Sequence, residues 1–166
     1  MPEMTYKKQD SFSGMRHHGQ VLDVLARIRA VYDGLPDSGM EPSRMILVRE
    51  ACEELLGLTP AHGDGPSFSL QTYVIEEINR LSDAAIPRYL FYRYRYETFP
   101  QRKILDDFPP CLQIEPTSIC NYRCVFCYQV DEDFTKKSGG HMGMMGLDLF
   151  KQIIDEAAGK CEAITL

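Results

Sequence analysis

Apolar residues recur at helical spacing in three segments of the first 85 residues. The recurring positions are Val21, Val24, Ile28 and Val31; then Met45, Val48, Cys52 and Leu55; then Leu70, Val74, Ile78 and Leu81. Repeats of three and four residues place apolar side chains on one face of a helix. Gly34 and Gly57 follow the first two segments, as glycines often follow helix ends, and Ser67 or Ser69 is suited to cap the third. The pattern predicts a helical region over residues 1–87, with Cys52 in its core.

The pattern changes between residues 88 and 104. There Tyr92, Tyr94 and Tyr96 alternate with Arg93 and Arg95. Alternation of this kind is typical of an extended strand with one face buried. We therefore expect residues 88–104 to form an extended connector with its arginines in water, and a helix is the alternative for so short a run.

Residues 105–166 contain a strand, a loop, a helix and a second strand in order. "CLQIEP" at 111–116 follows Pro109 and Pro110 and predicts a buried strand. "LDLFKQIIDEAAGK" carries Leu147, Phe150, Ile154 and Ala157 on one helical face, ends near Gly159, and is followed by "CEAITL". A strand, helix and strand in this order form a βαβ unit with parallel strands. The fold class is therefore α/β, a helical region followed by one βαβ unit.

Composition and charge exclude some partners. The net charge of −6 provides no basic surface for nucleic acid. No run of about 18 apolar residues suggests a membrane helix, and the polar N-terminus lacks a signal-peptide core. We expect a soluble protein of the cytoplasm, where thiols stay reduced. Clustered cysteines in that compartment indicate metal or redox chemistry.

The cysteine loop, "CNYRCVFCYQ" at 120–129, holds Cys120, Cys124 and Cys127. Two metal sites are compatible with it. A zinc site needs a fourth ligand, for which Cys111, Cys161 or His141 are available. A [4Fe-4S] cluster held by three cysteines instead leaves one iron open to bind another molecule. Arg123 would either favour the thiolates by its charge or be a solvated surface residue.

The spacing C-x3-C-x2-C, with Phe126 just before the last cysteine, resembles the cluster motif of the radical S-adenosylmethionine (radical SAM) superfamily. The surrounding sequence "LQIEPTSICNYRCVFCY" is similar to the first strand and cluster loop of the subgroup that often carries a SPASM-type domain. The resemblance covers roughly residues 105–166. In βα-barrels the reaction takes place on loops that follow the strands, as this loop does.

The resemblance implies a function and a set of cofactors. Cys120, Cys124 and Cys127 would hold a [4Fe-4S] cluster that cleaves S-adenosylmethionine (SAM) to a 5′-deoxyadenosyl radical. Phe126 would lie near the adenine, or would pack the loop onto the barrel. The substrate would be a peptide or a small molecule, and flavodoxin or ferredoxin would supply electrons. A non-catalytic binding module stabilised by zinc or by a cluster is the alternative.

The resemblance also implies a longer fold. Its (β/α)6 barrel continues beyond the second strand, where a glycine-rich stretch ending in glutamate contacts SAM. This sequence stops at Leu166, before that stretch. We therefore expect a fragment of a radical SAM protein, truncated after the second barrel strand and inactive as an isolated chain.

Overall fold

The computed structural model describes residues 18–59, 67–120, 122, 124–140 and 142–166. It contains a helical unit and, from Asp107 onward, a second compact unit. The helical unit comprises α1 (His18–Gly34), α2 (Pro42–Leu55), α3 (Thr72–Arg80) and α4 (Ile86–Arg102). The second unit comprises β1 (Cys111–Gln113), α5 (Glu132–Thr135), α6 (Leu147–Ala157) and β2 (Ala163–Thr165). The fold is therefore α/β.

The helical unit has a core formed by all four helices. Its fully buried side chains include Val24, Ile28, Val48, Cys52, Val74, Ile78, Ile86 and Leu90. The first six of these positions belong to the three periodic patterns, and Val21 and Val31 are half-buried beside them. Removal of these apolar side chains from water stabilises the helices against one another. The three predicted helices and the core position of Cys52 are confirmed.

The expected extended connector over 88–104 is wrong, because α4 runs from Ile86 to Arg102. The buried residues of α4 are Ile86, Leu90, Phe91, Tyr94, Arg95 and Thr98. Their spacing is that of a helical face, whereas the tyrosine and arginine alternation suggested a period of two. Arg95 is buried because its guanidinium pairs with Asp106 at 2.8 Å and lies over the Phe91 ring.

Helix ends differ from the sequence expectation in two places, the first being that Gly34 is the last residue of α1 and does not follow it. The predicted cap of the third helix at Ser67 or Ser69 is wrong, since α3 begins at Thr72 and Gln71 occupies the cap position without a side-chain hydrogen bond. At the end of α2, Gly57 has a φ of +67°, a conformation that favours glycine. Gly159 adopts a φ of +75° just after α6, so both glycines lie where a helix stops.

The second unit is built on two short parallel strands. Cys111, Leu112 and Gln113 pair with Ala163, Ile164 and Thr165. β1 is shorter than the predicted strand over 111–116, although the Ile114 N–H extends the ladder by donating to the Thr165 carbonyl at 2.9 Å. The parallel pairing and α6 confirm the βαβ unit. Among the described residues, no helix is both long enough and apolar enough to cross a membrane.

Candidate metal site on the cysteine loop

The cysteine loop follows β1, at the carboxyl end of that strand. Ile114 is buried behind it, while the polypeptide from Ile119 onward is largely exposed. Residues 119–142 contain only short helical turns, α5 among them, in their described part. Loops this long in a compact domain are usually functional. The position is the one at which βα units carry their binding residues.

The three cysteines of the loop are free thiols accessible to solvent. Cys120 and Cys124 are exposed, and Cys127 is half-buried. The Cys127 N–H donates to the Cys124 carbonyl at 2.9 Å, which closes a tight turn between these two residues. Thiolate sulfur is the ligand that both zinc and iron–sulfur clusters prefer. The donor set therefore fits either group.

A backbone amide already points at one of the sulfurs. The Tyr122 N–H donates to Cys120 Sγ, with 3.4 Å between nitrogen and sulfur. Hydrogen bonds of this kind stabilise a thiolate and tune the potential of a cluster that the thiolate ligates. The backbone of the loop therefore already supplies a hydrogen bond to one candidate ligand, Cys120.

The three thiols are not gathered at one point. Among the residues that the structure describes, no three His, Cys, Asp or Glu side chains lie close enough together to hold a metal ion. His141 and Arg123, which the sequence offered as a zinc ligand and as a charge beside the thiolates, lie outside the described residues. Chemistry and chain position support a metal site here, whereas the grouping of the side chains does not.

The other cysteines have different surroundings. Cys161 lies just before β2, where its Sγ donates to the Ala163 carbonyl at 3.0 Å, and Cys111 lies half-buried in β1, so neither thiol is on the cysteine loop. Cys52 is buried in the helical unit, where desolvation, helped by the Glu53 charge, raises its pKa to about 12. A thiol held in its neutral form is a poor metal ligand.

Phe126 lies in the turn between Cys124 and Cys127. Its side chain is 89% exposed, next to Val125 at 91%. The ring therefore does not pack the loop onto the sheet in this structure. It is available to contact a ligand, which is the alternative that the sequence offered.

Comparisons with family models, with curated proteins and with solved structures found no match. No family is shown. The resemblance of the cysteine loop to radical SAM proteins therefore stays a prediction that depends on the motif itself.

Sequence reasoning missed the contacts that fasten this loop. Ser118 pairs with Gly143, where the Gly143 N–H donates to Ser118 Oγ at 2.8 Å and the Ser118 N–H donates to the Gly143 carbonyl at 3.0 Å. The Gln129 side-chain amide donates to the Ser118 carbonyl. A serine, a glutamine and a glycine in a loop follow no periodic pattern.

A cavity of about 610 Å³ opens beside Cys120. Tyr122, Gln129, Glu132 and Met142 contribute to its wall. Its volume is that of a small-molecule site. The exposed thiol of Cys120 thus faces a space large enough for a bound molecule.

Proposed function

We propose that this chain binds a [4Fe-4S] cluster through Cys120, Cys124 and Cys127 and acts as part of a radical SAM enzyme. The observation that carries the proposal is the placement of three free, accessible thiols, spaced C-x3-C-x2-C, on the long loop after β1. Two short spacings on one loop suit a single cluster, and one iron without a cysteine is a position for another ligand.

The chemistry follows from that open position. When bound, such a cluster supplies the electron that cleaves SAM reductively and leaves a 5′-deoxyadenosyl radical, which takes a hydrogen atom from the substrate. The residues of this chain would hold the cluster and orient SAM. The Tyr122 N–H donates to Cys120 Sγ, and the exposed Phe126 ring offers a face on which the adenine of SAM can stack.

The fold, the substrate and the reductant follow from the same resemblance. The βαβ unit of β1, α6 and β2 would be the beginning of a (β/α)6 barrel. A peptide or a small molecule would be the substrate, with flavodoxin or ferredoxin as the reductant. The cytoplasm is the compartment we propose, because reduced thiols and low-potential clusters persist there.

Anaerobic reconstitution tests the proposal. The purified chain is incubated with iron, sulfide and a thiol reductant, desalted, and analysed for iron, acid-labile sulfide and zinc. We expect about four irons and four sulfides per chain, and a paramagnetic resonance signal after reduction with dithionite. Addition of SAM should change that signal, since it binds at the open iron. Chromatography for 5′-deoxyadenosine then tests the expectation that this chain alone does not complete the reaction.

Two variants make the result specific. Cys124→Ser should lower the iron content several-fold. Cys161→Ser is the matched control, because Cys161 lies outside the cysteine loop, just before β2, and a serine can still donate to the Ala163 carbonyl. Equal loss in both variants, or a cluster signal that SAM leaves unchanged, would contradict the proposal.

The alternative is a non-catalytic binding module, in which the loop is a zinc or cluster staple and the helical unit binds a partner. Structural zinc is four-coordinate, so Cys111, Cys161 or His141 would have to join the three loop cysteines. Zinc at one equivalent per chain, with no labile sulfide, would support that reading. Cys111 lies within β1 and the Cys161 thiol already donates to the Ala163 carbonyl, which favours the cluster.

A further inference from the structure

Two hydrogen-bonded connections meet at Ser118, two residues before Cys120. One connection reaches Gly143, through the Gly143 N–H and Ser118 Oγ at 2.8 Å. The other comes from Gln129, whose side-chain amide donates to the Ser118 carbonyl. Gln129 lies two residues after Cys127. The contact between Ser118 and Gln129 therefore closes the segment that contains all three cysteines.

We propose that the Ser118–Gln129 hydrogen bond is a latch that positions the cysteines for metal binding. Gln129 is then a positioning residue, which acts on the metal through the loop. The inference rests on the proposed function in taking the three thiols as ligands, but it holds for any thiolate-binding metal.

The physical reason is the entropy of closing the loop. Three ligands on an unfastened loop must be ordered when the metal binds, and the cost of ordering is subtracted from the affinity. A contact that joins the two ends of the segment meets part of this cost in the metal-free chain. The three thiols are not yet grouped at one point. The latch therefore restricts the range of distances between Cys120 and Cys127 without fixing the final geometry of the site.

The connection between Ser118 and Gly143 holds the Ser118 end of the latch in place. The Met145 N–H donates to the Pro116 carbonyl at 2.8 Å, and Thr117 forms an antiparallel bridge with Met144. Residues 116–118 are therefore paired with 143–145. This pairing holds the Ser118 backbone, so that its carbonyl stays available to the Gln129 amide.

Gln129 also suits the chemistry of the site. Its amide is a neutral donor, so it can lie near thiolates without a charge that metal binding would have to neutralise. It lines the same cavity as Cys120. A methionine at 129 would have similar length and no donor, which makes Gln129→Met the direct test.

The test is a titration of the metal-free, reduced chain with Cd²⁺, followed by thiolate-to-cadmium absorbance in the ultraviolet. Cys124→Ser in the same titration assigns the signal to the loop. Gln129→Lys keeps a donor at this position, and repetition at high salt screens its added charge. Gln152→Met is the matched control, because Gln152 lies on α6, where its amide donates to Glu156 at 2.9 Å.

We expect Gln129→Met to weaken Cd²⁺ binding about tenfold, the effect of losing one neutral hydrogen bond. Gln129→Lys and Gln152→Met should bind as the wild type does. Thermal unfolding of the metal-free variants should match the wild type, because the loop is exposed. Wild-type affinity in Gln129→Met, failure of Gln129→Lys at both salt concentrations, or a wild-type chain that binds no Cd²⁺ through the loop would overturn the inference.

The iron measurements separate this inference from the proposed function. If the wild type binds Cd²⁺ through the loop and responds to Gln129→Met, but assembles no iron–sulfur cluster, the latch stands and the proposed function fails. If the cluster assembles equally well in Gln129→Met and Cd²⁺ binding is also unchanged, the proposed function stands and the latch is overturned.

Discussion

The Arg102 guanidinium lies 2.8 Å from the Glu54 carboxylate and joins the end of α4 to the end of α2. Both side chains are largely buried, with 13% and 4% of their surfaces exposed. The Glu54 carboxylate also accepts hydrogen bonds from the Tyr94 hydroxyl and the Phe68 N–H, each at 2.7 Å. Because a buried charge is tolerated only when it is paired and hydrogen-bonded, this group depends on all its donors.

Glu54→Gln should destabilise the helical unit and remove part of its acid sensitivity. Burial acts to raise the pKa of Glu54, but hydrogen bonds from Phe68, Tyr94 and Arg102 outweigh it and hold the pKa below the usual 4.5. A lowered folded-state pKa contributes stability above pH 4.5 that is lost as the pH falls through the folded value. At pH 7 we expect a loss of about 2–3 kcal/mol in the free energy of unfolding, measured with urea.

Glu53→Gln is the control for this change. Glu53 accepts a 3.1 Å hydrogen bond from the Tyr32 hydroxyl and should keep the wild-type acid dependence when replaced. If the free energy of unfolding of Glu54→Gln falls with acid as steeply as that of the wild type, the role assigned to Glu54 is wrong.

Arg27→Met should destabilise the helical unit through the end of α3. Arg27 donates to the Leu81 carbonyl at 2.6 Å and to the Ile78 carbonyl at 2.7 Å, which also accepts from the Leu81 N–H at 3.1 Å, so it connects α1 to the end of α3. We expect a cost of about 1–2 kcal/mol, since charged hydrogen bonds to part-buried acceptors are lost. Urea unfolding at pH 7 measures it.

Asp83→Asn separates the carbonyl contacts from the ion pair. Arg27 also pairs with Asp83 at 2.7 Å, but the Asp83 side chain is 84% exposed. Exposed ion pairs contribute little, so Asp83→Asn should cost less than about 0.5 kcal/mol. A larger cost for Asp83→Asn than for Arg27→Met would reverse this assignment.

The helices α1, α2 and α3 were predictable because their buried faces consist of apolar side chains that recur at the helical period. Val24, Val48 and Val74 are buried where the pattern places them. α4 was not predictable in the same way. Its buried face includes Arg95, whose burial depends on Asp106, and polarity alone places an arginine in water. A helical period inferred from polarity alone is therefore missed where an ion pair is buried in the helix face.

The candidate site shows a similar division. The three cysteines were evident because their density and spacing are a chemical pattern that survives without any structure. Ser118, Gln129 and Gly143 were not evident, since each acts through a hydrogen bond that depends on how residues 116–118 and 143–145 pair. Local sequence predicts which ligands exist, while the contacts that position them are long-range.

Cys52 should resist alkylation in the folded chain, whereas Cys120 and Cys124 should not. Burial, helped by the Glu53 charge, raises the pKa of Cys52 to about 12, so almost no thiolate is present at pH 8. Iodoacetamide labelling followed by peptide mass spectrometry should give rates for Cys120 and Cys124 at least about 100-fold higher. In urea the rates should become similar. A native Cys52 labelled as quickly as Cys120 would show that the core is open.

The proposed SAM site predicts that Phe126→Ala weakens SAM binding without changing stability. The ring is 89% exposed, so its removal costs little packing energy, while loss of a stacking partner for adenine costs about tenfold in affinity. SAM affinity is measured on the reconstituted chain from the change in its paramagnetic resonance signal. Val125→Ala is a matched control, because Val125 is the adjacent residue and is 91% exposed. Equal affinities for SAM in Phe126→Ala, Val125→Ala and the wild type would remove Phe126 from the binding site and leave the cysteines as its only assigned residues.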